Sequence, residues 1–331
     1  MILAENGMRP ILSINDLRTY FETRSGIVKA VDGVDLSLKR GDTVGIVGES
    51  GCGKTVLALS VMRLIPIPPG KIVSGSVMFD GVDLLELDDE QMRHMRGREI
   101  SMIFQEPMTS LNPVLKVGDQ IAEVLQLHEG LSKRDAVERA IEMLALVGMP
   151  SPADRVRNYP HQLSGGMRQR VMIAMALALR PKLMLADEPT TALDVTIQAQ
   201  IVDLINTLKD EVGTSVVLIT HDLGIVAEAA QYAAVMYAGK VVEHATVEEL
   251  FSHTCHPYTV GLMESIPRLD QGGADGGYLK VIPGTVPSLY DLPRGCSFQD
   301  RCSYTMTICR EKKPELKEYR PGHSVRCWKY V

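Results

Sequence analysis

Between the apolar run Thr43-Val44-Gly45-Ile46-Val47 and a second apolar stretch that begins at Thr55 lies Gly48-Glu49-Ser50-Gly51-Cys52-Gly53-Lys54-Thr55. This segment matches G-x-x-x-x-G-K-[ST] in full, in the strand-to-helix setting that gives the pattern its meaning. The glycines let the backbone curl so that successive N–H groups point inward, and the helix that follows adds the positive end of its dipole. Such a cradle suits a phosphate chain. Gly48, Ser50, Gly51, Cys52 and Gly53 would line it, Lys54 would reach the β- and γ-phosphates of a nucleotide, and the Thr55 hydroxyl would ligate Mg²⁺. Cys52 reads as a small filler whose backbone matters, with redox control as the less favoured alternative.

A strand–helix rhythm recurs further along. Leu183-Met184-Leu185-Ala186 and Val216-Val217-Leu218-Ile219 have strand length, and between them Ile197, Ile201, Leu204, Ile205 and Leu208 fall at helical spacing. Strands separated by helices predict a parallel sheet covered on both faces, hence an α/β protein. The first of these strands ends on Asp187-Glu188. There Asp187 can hold Mg²⁺ through its water shell and Glu188 can polarise an attacking water. Residues 11–41 alternate apolar and polar types and predict short antiparallel strands. A helix starting at Thr55 runs towards Ile65 and is ended by Pro66, Pro68 and Pro69. The stretch 88–160 reads as helical and charged, and beyond about Leu250 the composition turns to glycine, proline and cysteine, with a flexible joint expected at 271–277.

Composition narrows the partners. A net charge of −6 argues against a nucleic-acid binder held by a basic surface. The longest apolar run, Val171 to Leu179, is bracketed by Arg170 and Arg180, whereas a bilayer span needs about 20 residues. Met1–Pro10 lacks the pattern of a secretory signal, so a cytosolic setting is expected. Of six cysteines, Cys296, Cys302, Cys309 and Cys327 crowd into the last 36 residues. In a reducing compartment such a cluster points to metal before disulfides.

Leu163-Ser164-Gly165-Gly166-Met167-Arg168-Gln169-Arg170, just upstream of the Asp187-Glu188 strand, resembles the signature of ATP-binding-cassette (ABC) ATPases, with Met167 where the family usually has glutamine. The resemblance runs roughly from Ile11 to Leu250. It implies a RecA-like P-loop core with an N-terminal antiparallel β subdomain and a helical signature subdomain (about 88–166) within an ATPase domain over 1–250, then a small Cys-rich extension over 251–331. It also implies that Ser164, Gly165 and Gly166 bind the γ-phosphate of a nucleotide held by a partner subunit. Gln105, in Phe104-Gln105-Glu106-Pro107, would sense Mg²⁺ and water. Asp194 would lie on the loop crossing the dimer interface, and His221 would be the switch histidine near the γ-phosphate. Phe21 is the candidate ring for stacking on adenine, with Tyr20 as its rival.

The tail carries a further resemblance. Cys255-His256-Pro257-Tyr258-Thr259, Ile282-Pro283-Gly284 and Gly295-Cys296-Ser297-Phe298, followed by Cys302, Cys309 and Cys327-Trp328, look like the C-terminal extension of dipeptide/oligopeptide importer ATPases. This implies an ATP- and Mg²⁺-dependent energy-coupling subunit, peripheral on the cytoplasmic face of the inner membrane. Its partners would be a second ATPase, two transmembrane permeases and, indirectly, an extracytoplasmic binding protein. Another cargo (glutathione, a nickel chelate, a sugar) and a soluble, non-transport ATPase are the alternatives. The spacing C-x5-C-x6-C-x17-C lacks the tight pairs of zinc ribbons. A 4Fe–4S cluster on the four cysteines, as in some relatives, is the leading reading, with zinc or no metal as alternatives.

Overall fold

The computed structural model describes residues 9–191, 193–266 and 281–330; the expected joint at 271–277 lies outside them. Two long strands come first, β1 (Leu12–Thr23) and β2 (Gly26–Leu38), then β3 (Thr43–Val47), helix α1 (Lys54–Val61), β4 (Gly70–Phe79) and β5 (Val82–Asp83). Next come α2 (Asp89–Met95), β6 (Ile100–Ile103), α3 (Pro107–Ser110), α4 (Val117–Glu129), α5 (Lys133–Leu146), α6 (Pro152–Arg155) and α7 (Gly165–Leu177). The third stretch holds β7 (Leu183–Asp187), α8 (Val195–Val212), β8 (Ser215–Thr220), α9 (Leu223–Ala229), β9 (Tyr232–Tyr237), β10 (Lys240–Thr246) and α10 (Val247–Ser252). The last contains α11 (Pro257–Glu264), α12 (Thr307–Glu311), β11 (Lys317–Arg320) and β12 (His323–Val325).

These elements form two sheets. The smaller is antiparallel, in the order β2-β1-β4-β5; the larger runs β11-β12-β10-β9-β3-β8-β7-β6. Strands β9, β3, β8, β7 and β6 are mutually parallel, and every residue of β3, β7 and β8 is buried. Burial on both faces is why these strands read as continuous apolar runs. The N-terminal pair alternates because one face meets the core, and its strands are 12 and 13 residues long, with bulges, where shorter ones were expected.

Two boundaries differ from the sequence reading. The stretch 88–160 is not helical throughout, because Ile100-Ser101-Met102-Ile103 pairs in parallel with β7. Four residues between charged neighbours give too short a pattern to stand out from the helices around them. Helix α1 ends at Val61, short of Ile65.

Three apolar clusters hold the fold. One joins α4, α5, α7 and α8 to β6 and β7; a second fills the space between the two sheets around α1; a third packs β9 and α11 against Phe298 of the tail. Each fully buried Val, Leu or Ile contributes about 1.5–3 kcal/mol. Within the second cluster the Thr19 and Ser60 hydroxyls meet at 2.8 Å, so β1 carries its own hydrogen bond to α1. The tail adds to the main sheet: β12 pairs antiparallel with β10, placing Ser324 opposite His244 and Val325 opposite Glu243.

Candidate nucleotide-binding site

Strand β3 lies between β8 and β9, so the loop after it emerges in the middle of the parallel sheet, at the carboxyl ends of the strands, where open α/β sheets bind ligands. Neighbouring backbone crowds the loop. A Cβ on Gly48 would lie 2.2 Å from the Met236 carbonyl oxygen, and one on Gly53 would lie 2.1 Å from that of Ala30. Gly53 has φ 107°, so both space and backbone demand glycine there. Cys52 is fully buried, burial pushes its thiol pKa up, and its carbonyl accepts the Gly239 N–H at 2.9 Å. A thiol so placed is poorly suited to redox control, and the filler role fits.

The Lys54 ammonium folds over the loop, donating to the Gly48 carbonyl at 2.7 Å and the Glu49 carbonyl at 3.3 Å. The Thr55 hydroxyl donates to Asp187 Oδ1 at 3.2 Å. Asp187 is 1% exposed, and burial raises its carboxyl pKa against the lowering effect of Thr55. This hydroxyl–carboxylate pair supplies the hard oxygen donors that Mg²⁺ prefers, so the residues present fit that ion.

Glu188 is the point of convergence. Its backbone is left-handed, with φ 46°, and its N–H donates to the Ile219 carbonyl at 2.8 Å. That conformation costs a side-chain-bearing residue about 1–2 kcal/mol, and it turns the carboxylate off the strand into the site. Oε2 accepts the Gln105 amide at 3.0 Å and the Thr191 hydroxyl at 2.9 Å; His221 Nδ1 lies 3.5 Å away, and Lys54 Nζ is 3.9 Å from Oε1. The loops after β3, β6, β7 and β8 therefore bring Lys54, Gln105, Glu188 and His221 to one carboxylate. Thr191 was missed in the sequence, where a threonine after Glu188-Pro189-Thr190 carries no signal of its own.

The other candidates have partners of their own. Ser164 caps α7 and accepts the Met167 N–H at 3.3 Å. A Cβ on Gly165 would meet Leu193 at 3.4 Å, and one on Gly166 would meet Ile197 at 3.0 Å. Asp194 caps α8 by accepting the Ile197 N–H at 3.0 Å. The signature segment and the start of α8 thus pack on each other, and Met167 turns into the helical core cluster. Of the two aromatic candidates, Tyr20 donates to Asp32 at 2.6 Å, with its hydroxyl pKa pushed up to about 12 by burial and that bond. Phe21 sits across from Gly70 and Val28 with its ring edge towards the glycine.

In the tail, Cys296, Cys302, Cys309 and Cys327 line one cavity with His256, Phe298 and Trp328. Burial pushes the Cys296 thiol up to about 11, and the other three thiols add to the shift. Among the described residues, the close trio of metal-ligand atoms is Glu243, Cys255 and His323, within 4.8 Å of one another; the tail thiols form no such trio. Tetrahedral zinc, at about 2.3 Å from each sulfur, would need them about 3.8 Å apart. Four thiolates around one cavity are also the donor set of a 4Fe–4S cluster, so the residues present fit that group. Within that trio the Glu243 carboxylate is satisfied: it accepts the backbone N–H groups of Cys255 and His256 and pairs with His323.

A phosphate loop, a buried aspartate on its threonine and a glutamate held by Gln and His define a nucleoside-triphosphate-binding protein. The comparisons narrow that class. Residues 31–191 match the family described as ABC transporter, and 242–309 match the oligopeptide/dipeptide transporter C-terminal region. The chain is 54% identical over 319 residues to the probable peptide ABC transporter ATP-binding protein y4tR of Sinorhizobium fredii, covering 96% of this chain and 95% of that protein. It is 52% identical over 318 residues to the oligopeptide transport ATP-binding protein OppD of Bacillus subtilis, covering 96% and 88%. Among solved structures, the dimeric, post-hydrolysis ATP-binding cassette MJ0796 bound to ADP and Pi superposes with a TM-score of 0.64 at 29% identity, over 71% of this chain and 98% of that one. The chain belongs to the ABC transporter family, among the ATP-binding proteins that carry the oligopeptide/dipeptide transporter C-terminal region.

Proposed function

We propose that this chain is the ATP-hydrolysing, energy-coupling subunit of an importer for di- and oligopeptides, paired with a second ATPase on the cytoplasmic face of the inner membrane. The observation that carries the reading is the meeting of Lys54, Gln105, Thr191 and His221 on the Glu188 carboxylate. The phosphate loop holds the triphosphate, and Lys54 shifts from the loop carbonyls to the β- and γ-phosphates. Thr55 and Asp187 would hold Mg²⁺, which would neutralise phosphate charge, and Gln105 would sense it. Glu188 positions the attacking water and takes up its proton, Gln105 and Thr191 fix that carboxylate, and His221 orients the γ-phosphate. Phe21 is preferred for adenine, because the Tyr20 hydroxyl is committed to Asp32.

Ser164-Gly165-Gly166 would close over the nucleotide of the second ATPase, and Asp194 would lie on the crossing loop, so each site is completed by two subunits. The division into an ATPase domain over 1–250, its helical part and the extension over 251–331 serves this scheme. A groove lined by Met62, Leu64, Met102, Phe104, Leu111 and Met172 opens beside Gln105. It is proposed to receive a helix of a permease. Among the described residues no helix is long and apolar enough to cross a membrane.

The test is reconstitution with the second ATPase, two permeases and the binding protein. Peptide-loaded binding protein is expected to stimulate hydrolysis; stimulation only by glutathione, a nickel chelate or a sugar would replace the cargo, and a complete lack of stimulation would remove the transport role. The four tail cysteines are proposed to hold a 4Fe–4S cluster, which ties the tail segments together. Anaerobically purified protein is expected to contain about four irons and four sulfides per chain. Zinc, or neither metal, would reject the cluster.

A further inference from the structure

Glu49 occupies a position the phosphate-loop pattern leaves open, yet residues far along the chain hold it at both backbone and side chain. Its N–H donates to the Tyr258 hydroxyl at 2.8 Å. Its carboxylate is gripped by Arg301, Nη1 to Oε2 at 2.6 Å and Nη2 to Oε1 at 2.9 Å. The Arg301 side chain is only 4% exposed, and its Nε donates to the Pro283 carbonyl at 2.9 Å. It stands over the rings of Tyr237 and Phe298, which pack with Tyr258. A guanidinium buried this deeply is tolerated because it is paired at both ends of its fork. The Glu49 carbonyl in turn accepts the Lys54 ammonium. A continuous chain of contacts thus runs from the extension, through Glu49, to the lysine that meets the phosphates.

We propose that Arg301 is a positioning residue for ATP binding, by which the C-terminal extension holds the phosphate loop in its binding shape through Glu49. The pair also neutralises a carboxylate that would otherwise stand unpaired beside an incoming polyanion. Arg301 acts through Glu49 and touches no phosphate itself. This inference rests on the assignment of the loop as the ATP site, and its test needs neither permeases nor peptide.

Mg²⁺–ATP is titrated into the full-length wild-type chain and into Arg301→Gln, Arg301→Lys, Glu49→Gln and the Arg301→Gln/Glu49→Gln double variant, with thermal unfolding of each recorded without nucleotide. Arg301→Gln and Glu49→Gln are each expected to weaken ATP by about tenfold, as for loss of one charge-assisted contact. The double variant should also be about tenfold weaker, not about a hundredfold, because both changes break one link. Arg301→Lys should recover part of the loss. ATP affinity in Glu49→Gln equal to wild type would overturn the proposal, leaving Arg301 as an anchor of the extension alone; so would a double variant as weak as the product of the singles. Glu49→Gln keeps the question open to measurement if Arg301→Gln fails to fold. A transporter that fails to respond to peptide would refute the importer reading and leave these affinities standing.

Discussion

Glu188→Gln is expected to lower ATP turnover in the assembled transporter by about a thousandfold, the scale of a lost general base, while ATP binding is retained. Glutamine keeps the size of the side chain and can still accept from Gln105 or Thr191, which lie 3.0 and 2.9 Å from Oε2. It has no charge with which to draw a proton from water. Removing an anion 3.9 Å from Lys54 also frees the ammonium for phosphate, so affinity should hold or rise. Equilibrium ATP binding and single-turnover hydrolysis on the same preparation separate the two effects. Undiminished turnover would take Glu188 out of its role.

Gly53→Ala is expected to abolish measurable ATP binding and to cost about 3 kcal/mol of stability, the scale of a buried backbone clash. The new methyl would sit 2.1 Å from the Ala30 carbonyl oxygen, with the Gly239 backbone also close, at φ 107°. Strand β2 cannot give way easily, because the Asp32 N–H donates to the Gly239 carbonyl and the Gly239 N–H donates to that of Cys52. The loop would have to move, carrying Lys54 with it. Gly51→Ala is the control: φ is 78° there, but nothing lies within 4 Å of the added carbon. It should cost only the backbone strain, about 1–2 kcal/mol. Urea unfolding and ATP titration of both variants measure the contrast; equal losses would show that steric closeness at Gly53 is not what matters.

Short motifs carried the nucleotide site because each encodes its own local geometry. The buried strand before Gly48, the helix after Lys54 and the acids closing β7 could be read from a handful of adjacent residues. Their convergence required the parallel order of β3, β8, β7 and β6, which no local pattern states. Strand β6 was hidden by its four-residue length. Strands β11 and β12 were hidden by polar sequence: Lys317-Glu318-Tyr319-Arg320 is exposed throughout and reads as loop. The Arg301–Glu49 pair spans 252 residues. Neither partner has a sequence neighbour that announces it, so only the fold reveals the pair. The tail cysteines fall between these cases: their crowding suggested a metal, and the fold gathers all four around one cavity.

Lys54, Asp187 and Glu188 stand together in one chain, whereas Gly165 and Gly166 of the signature segment pack on Leu193 and Ile197. On the proposed reading, a site so divided would bind ATP alone and hydrolyse it only when a second subunit closes over it. The most direct measurement compares ATP hydrolysis per chain for the isolated subunit, diluted until monomeric, with that of the same subunit assembled with its partner ATPase and permeases. Equal ATP binding with a rate at least about a hundredfold higher on assembly is the expected result. A dilute monomer that hydrolyses ATP as fast as the assembled complex would contradict it.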